Sequence, residues 1–70
     1  MINELLYFEA RVFREFCARF NKDHRGASGL FKNYGIWDYI ESCYDTLHMS
    51  GDAYVVEDIG EILKSKGVAL

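Results

Sequence analysis

The stretch "CYDTLHMSG" at residues 43–51 sets a thiol (Cys43), a phenol (Tyr44), a carboxylate (Asp45) and an imidazole (His48) close together in the chain. A thiol beside an imidazole base is a nucleophile, an imidazole with carboxylates is the start of a metal site, and a phenol with an imidazole suits a contact surface. Helical spacing pulls these groups apart. Tyr44 and His48, four residues apart, share the edge of an apolar arc beside Trp37, whereas Cys43 turns to the core and Asp45 joins Glu41 on the solvent side. A Cys–His pair within this one helix therefore fails on geometry. A single imidazole with scattered carboxylates also lacks the three or four ligands of a zinc site. His48 has three readings: a helix-end residue bonding a free carbonyl with Asp45 nearby, a contact residue together with Tyr44 and Trp37, or, least favoured, a catalytic or metal-binding group.

Glu9 is the oddest residue of the first helix, at the centre of an arc formed by Leu5, Val12, Phe13 and Phe16. A buried carboxylate must find a partner or stay protonated, and His48, His24 or an arginine could serve, unless the helix leaves Glu9 within reach of water. Tyr7 and Phe8 lie among Arg11, Glu15 and Arg19, where Glu15 and Arg19 have the spacing of an i,i+4 ion pair. Aromatic residues with arginines are what interfaces concentrate, so Tyr7 and Phe8 are either partner contacts or a second core layer. "RGASG" lacks the pattern of a phosphate loop, and no serine-histidine-aspartate order or carboxylate pair can be assembled. No catalytic, cofactor-binding or metal residue is predicted. The candidate partner-binding residues are Trp37, Tyr44, His48, Tyr7 and Phe8.

The elements that must position these residues are helices. Asn3 is a plausible N-cap, and the apolar spacing from Leu5 to Phe20 predicts a first helix over residues 3–21. Ser28 is placed to cap a short second helix carrying Leu30, Phe31 and Tyr34, with Gly35 ending it. In "IWDYIESCYDTLHM", Ile36, Ile40, Cys43 and Leu47 share one side, which predicts an amphipathic helix of about three turns. Asp52 can cap a final helix whose stripe is Val55, Val56, Ile59, Ile62 and Leu63, with Gly67 just past its end; the alternative keeps residues 54–56 extended. The expected fold is all-α, a small bundle of three main helices plus one short helix in a single domain over residues 1–70.

Seventy residues with half of them apolar and eleven aromatic (five Tyr, five Phe, one Trp) exclude a disordered tail. A chain this short buries only about 60% of its unfolded surface, so oligomerisation is one route to adequate stability. Residues 1–25 hold five bases (Arg11, Arg14, Arg19, Lys22, Arg25) and four acids, and residues 26–70 hold three bases and seven acids. That balance disfavours a nucleic-acid surface, which needs clustered cations, and favours an acidic partner-binding face. Two cysteines without metal or redox spacing, and an N-terminus without a leader or membrane-spanning pattern, lead to the expectation of a cytoplasmic protein that does not enter membranes.

"LFKNYGIWDYI", "CYDTLHMSG" and "YVVEDIGEIL", with a weaker match in "VFREFCARFNK", resemble a family of short bacterial proteins, domain of unknown function 3791. Two departures stand out: "DHRGASG" is shorter than the family's usual segment, implying a truncated second helix, and Gly60 replaces a polar residue, at about 1 kcal/mol in a helix interior unless close packing requires it. The family it resembles has no established enzymatic activity. It implies a role beside ADP-ribosyltransferase-like toxins, which relatives often neighbour in the genome, and so an antitoxin-like part. The leading expectation is a non-enzymatic protein-interaction module; the alternatives are a self-associating homodimer and a weak DNA-binding autoregulator.

Overall fold

A computed structural model describes residues 3–70, which form five helices: α1 (Glu4–Arg19), α2 (His24–Asn33), α3 (Ile36–Ser42), α4 (Tyr44–Leu47) and α5 (Asp52–Ser65). The all-α expectation holds, and the count of three main helices plus one short one is met only roughly: four helices have seven residues or more, and α4 is a single turn. Two local features account for the difference.

The first is Asp23. Its carboxylate accepts the Gly26 N–H at 2.7 Å and starts α2 five residues before the expected Ser28 cap. This is ordinary N-cap chemistry, and it extends the helix through two glycines because Ala27 and Phe31 are thereby buried on its inner face. The second is Cys43, whose φ of −108° and ψ of 14° interrupt the expected third helix. Ser42 and Cys43 are weak helix formers, and the turn separates Ile36 and Ile40 on α3 from Leu47 on α4 while all three remain buried.

The other ends follow local backbone chemistry. Asn3 caps α1 by accepting the Leu6 N–H at 3.1 Å. At the far end Asn21 adopts a left-handed φ of 52°, and the Lys22 N–H reaches the Cys17 carbonyl at 2.9 Å. This closes α1 with a Schellman motif. Gly67, at φ 87°, closes α5 in the same way, with Val68 N–H on the Leu63 carbonyl at 3.0 Å. Residues 54–56 are helical, so the extended alternative is set aside.

α1 packs against α2, α3 and α5. Its buried stripe is Phe8, Val12, Phe16 and Cys17, spaced 4, 4 and 1 along the helix, and it meets Ala27, Phe31, Ile36, Ile40, Leu47, Val55, Val56, Ile59 and Leu63. Burial pushes the Cys17 thiol above its ordinary range, which disfavours the reactive thiolate. Gly60 is explained by contact: a Cβ there would lie 2.6 Å from the Phe20 ring, so the departure from the family pattern lets α5 approach the end of α1.

Candidate functional site

Two clefts flank the first turns of α1. The first, about 300 Å³, is lined by Glu4, Tyr7, Phe8, Arg11, Tyr44 and His48. Tyr44 and His48 stack at 4.7 Å between ring centroids and 16° between planes. His48 sits at the C-cap of α4, and its Nδ1 lies 2.7 Å from the Tyr44 carbonyl. A carbonyl only accepts, so Nδ1 carries the proton in this bond. His48 thus bonds a helix-end carbonyl, though not a free one, since the same oxygen accepts the His48 backbone N–H at 2.9 Å, and it also lines a cleft.

Arg11 is fixed across this cleft by Asp52 of α5, with Nε to Oδ2 at 2.9 Å and Nη2 to Oδ1 at 3.3 Å. The guanidinium also lies 5.6 Å from the Tyr7 and Phe8 ring centroids. Its charge is therefore already engaged, by a carboxylate and by two aromatic faces. Nothing in the chain signals this pair, because its members are 41 residues apart. Arg19 likewise bonds Glu57 of α5 at 2.7 Å, in place of the expected pairing with Glu15.

Phe8 requires a correction as a partner-contact residue. It is 1% exposed and meets Tyr44 edge-on at 5.5 Å, so it forms part of the core under the cleft. The spacing of Phe8, Val12 and Phe16 is itself a helical stripe, and the core-layer alternative is the one the fold adopts. Tyr7, by contrast, is 60% exposed.

Trp37 lies elsewhere than expected. It is half-buried, stacked on Phe13 at 5.7 Å and edge-on to Phe31 at 4.8 Å. It lines the second cleft, about 390 Å³, together with Leu6, Glu9, Ala10 and Glu41. The turn at Cys43 accounts for the separation, since it places Tyr44 and His48 on one flank of α1 and leaves Trp37 on the other. Between the clefts runs the outward ridge of α1, where Leu6 is 61% exposed beside Tyr7.

Glu9 is buried to 7% exposure on the wall of the second cleft. No described histidine or arginine forms an ion pair with it, Arg11 and Arg19 pairing with α5, His24 packing on Phe13 and His48 stacking on Tyr44; its carboxylate oxygens reach water instead, the other alternative. Burial first, and the neighbouring Glu41 charge second, push the Glu9 carboxyl above its ordinary value of 4.5. With the folded value raised, the stability tied to Glu9 is fully present below pH 4.5 and is lost as pH rises through that raised value. Glu9→Gln is therefore expected to raise stability near neutral pH by about 1 kcal/mol and to flatten the pH dependence. Urea midpoints of both proteins across mildly acidic to neutral pH check this; parallel curves would refute it.

Among the described residues no three or more His, Cys, Asp or Glu side chains gather as a metal site, and no helix is long and apolar enough to cross a membrane. The model of a family described as "Protein of unknown function (DUF3791)" matches residues 8–66. No curated protein and no solved structure matches the chain.

Proposed function

We propose that this chain, which belongs to the DUF3791 family, is a non-enzymatic protein-interaction module that binds its partner through the outward face of α1 and the two clefts beside it. The observation that carries this reading is the Leu6–Tyr7 ridge. Both side chains are more than half exposed on a helix whose opposite side is already buried, and aromatic rings line the clefts on either hand. A large apolar ridge with aromatic flanks is the composition of an interface core, and covering it removes apolar surface from water. Tyr7, Tyr44, His48 and Trp37 are the contact residues in this reading, and Phe8 supports them from beneath.

In this reading, by the family resemblance alone, the partner is an ADP-ribosyltransferase-like toxin held inactive by occlusion in the cytoplasm. The test is co-expression of the tagged protein with the adjacently encoded protein, followed by affinity capture and mass determination of the complex. Wild type is expected to give a stoichiometric complex. Leu6→Asp with Tyr7→Ala is expected to weaken it by at least about a hundredfold, the loss of roughly 3 kcal/mol of interface contact, with the helical spectrum unchanged. Full affinity in a folded double variant would refute the reading. Recovery of a homodimer alone would transfer the same ridge to self-association.

A further inference from the structure

The second cleft combines an apolar floor with two carboxylates and no cation. Leu6, Ala10 and the indole of Trp37 form its apolar surface, and Glu9 and Glu41 approach from α1 and α3. Glu9 is more than nine-tenths buried and no described cation or donor side chain bonds it, while its carboxylate oxygens stay open to the cleft and so to water. Two of the three arginines on α1, Arg11 and Arg19, are committed to Asp52 and Glu57. A carboxylate held this way beside a second one is costly in the free protein, as the upward displacement of its proton affinity by burial and by Glu41 also indicates. The cost falls when a positive group enters.

From this geometry we infer that the cleft between α1 and α3 is a receptor for an arginine side chain presented by the partner protein, with the guanidinium between Glu9 and Glu41 and the alkyl stem against Leu6, Ala10 and Trp37. The chemistry selects arginine over lysine. A planar guanidinium donates to two carboxylates at once, stacks on an indole and sheds its water more readily than an ammonium. Its apolar stem suits the floor of the cleft, while a small inorganic cation would leave that floor bare. The inference rests on the interaction-module reading and adds the chemistry of the partner's contact.

Trp37 is the only tryptophan of the chain, so its emission reports the cleft directly. The probe is the blocked tripeptide acetyl-glycyl-arginyl-glycinamide, and the control is its citrulline counterpart, which has nearly the same shape without the charge. A saturable emission change is expected with the arginine peptide. The citrulline peptide, and the Glu9→Gln/Glu41→Gln variant with the arginine peptide, are each expected to bind at least about tenfold more weakly. Equal binding of the two peptides, or no saturable change up to on the order of 10 mM, overturns the inference. The citrulline arm uses wild-type protein and does not depend on how the variant folds.

Capture of the native partner separates this inference from the reading it rests on. A partner lost from the Glu9→Gln/Glu41→Gln variant while its helical spectrum is intact supports the arginine site. A partner held with unchanged affinity by that variant overturns the arginine site and leaves the interaction module standing. If wild type captures no partner, the module reading fails, and the peptide titration alone decides the cleft.

Discussion

Replacing Phe31 with alanine is expected to abolish cooperative folding under conditions in which the wild-type protein is native. Phe31 is fully buried on α2, and three rings from two other helices close on it: Phe13 at 5.3 Å, Phe16 at 5.1 Å and Trp37 at 4.8 Å. Truncating a buried phenylalanine costs about 3–5 kcal/mol, through lost transfer energy and the cavity left behind. A chain of this length has a total stability of roughly 4–10 kcal/mol, so the single change removes much or all of it. The cavity has little chance to collapse, because Phe13 and Phe16 are held on α1 and Trp37 on α3. Phe31→Leu retains most of the volume and is expected to cost about 1–2 kcal/mol. Urea unfolding followed by circular dichroism and by Trp37 emission separates the two variants. A cooperative Phe31→Ala transition displaced by less than about 1 kcal/mol would refute the ring cluster as the centre of the core.

The features read correctly from the sequence are those set by a few adjacent residues. Gly35 and Gly67 end α2 and α5 because a left-handed residue is needed there, and the apolar periods of α1 and α5 are long enough to declare a helix. The Asp23 cap is equally local, and its signal was present three residues before Gly26; the two glycines that follow made the segment look like a break. Burial of Ala27 and Phe31 outweighs the cost of those glycines, and that is a tertiary fact which no window of sequence contains.

The candidate site divides along the same line. The Tyr44–His48 stack follows from i,i+4 spacing and is visible in "CYDTLHM". The separation of Trp37 from that pair depends on the turn at Cys43, one residue whose backbone leaves the helical region without a proline or glycine to announce it. Glu9 is recognisable in the sequence as misplaced, but its surroundings are not, because groups around it come from α3 and two arginines of α1, Arg11 and Arg19, are drawn to α5. The charge pattern of α1 in isolation suggests pairs along one helix. In the fold Arg11 and Arg19 tie α1 to α5, and neither serves Glu9.

Tyr39 provides the other large expected effect. Its hydroxyl donates to Asp58 Oδ2, joining α3 to α5 across 19 residues of chain in a part-buried setting. Burial, and then the Asp58 bond, push the Tyr39 phenol above its usual range. Removing the hydroxyl leaves a carboxylate without its donor, so Tyr39→Phe is expected to cost about 1.5–3 kcal/mol, more than a neutral hydrogen bond would. Asp58→Asn keeps an acceptor and is expected to cost less, and Tyr39→Phe with Asp58→Asn should cost less than the two single losses added together. The sign at high pH follows from the raised folded value: the stabilisation tied to Tyr39 is fully present below its ordinary value of 10.0 and is lost as pH rises through the folded one. Tyr39→Phe lacks that loss, so the stability gap between wild type and variant should narrow in alkali. Urea midpoints for the four proteins at neutral and alkaline pH measure both effects. Additive single losses, or a gap that does not change with pH, would show that the ring of Tyr39 joins α3 to α5 by packing alone.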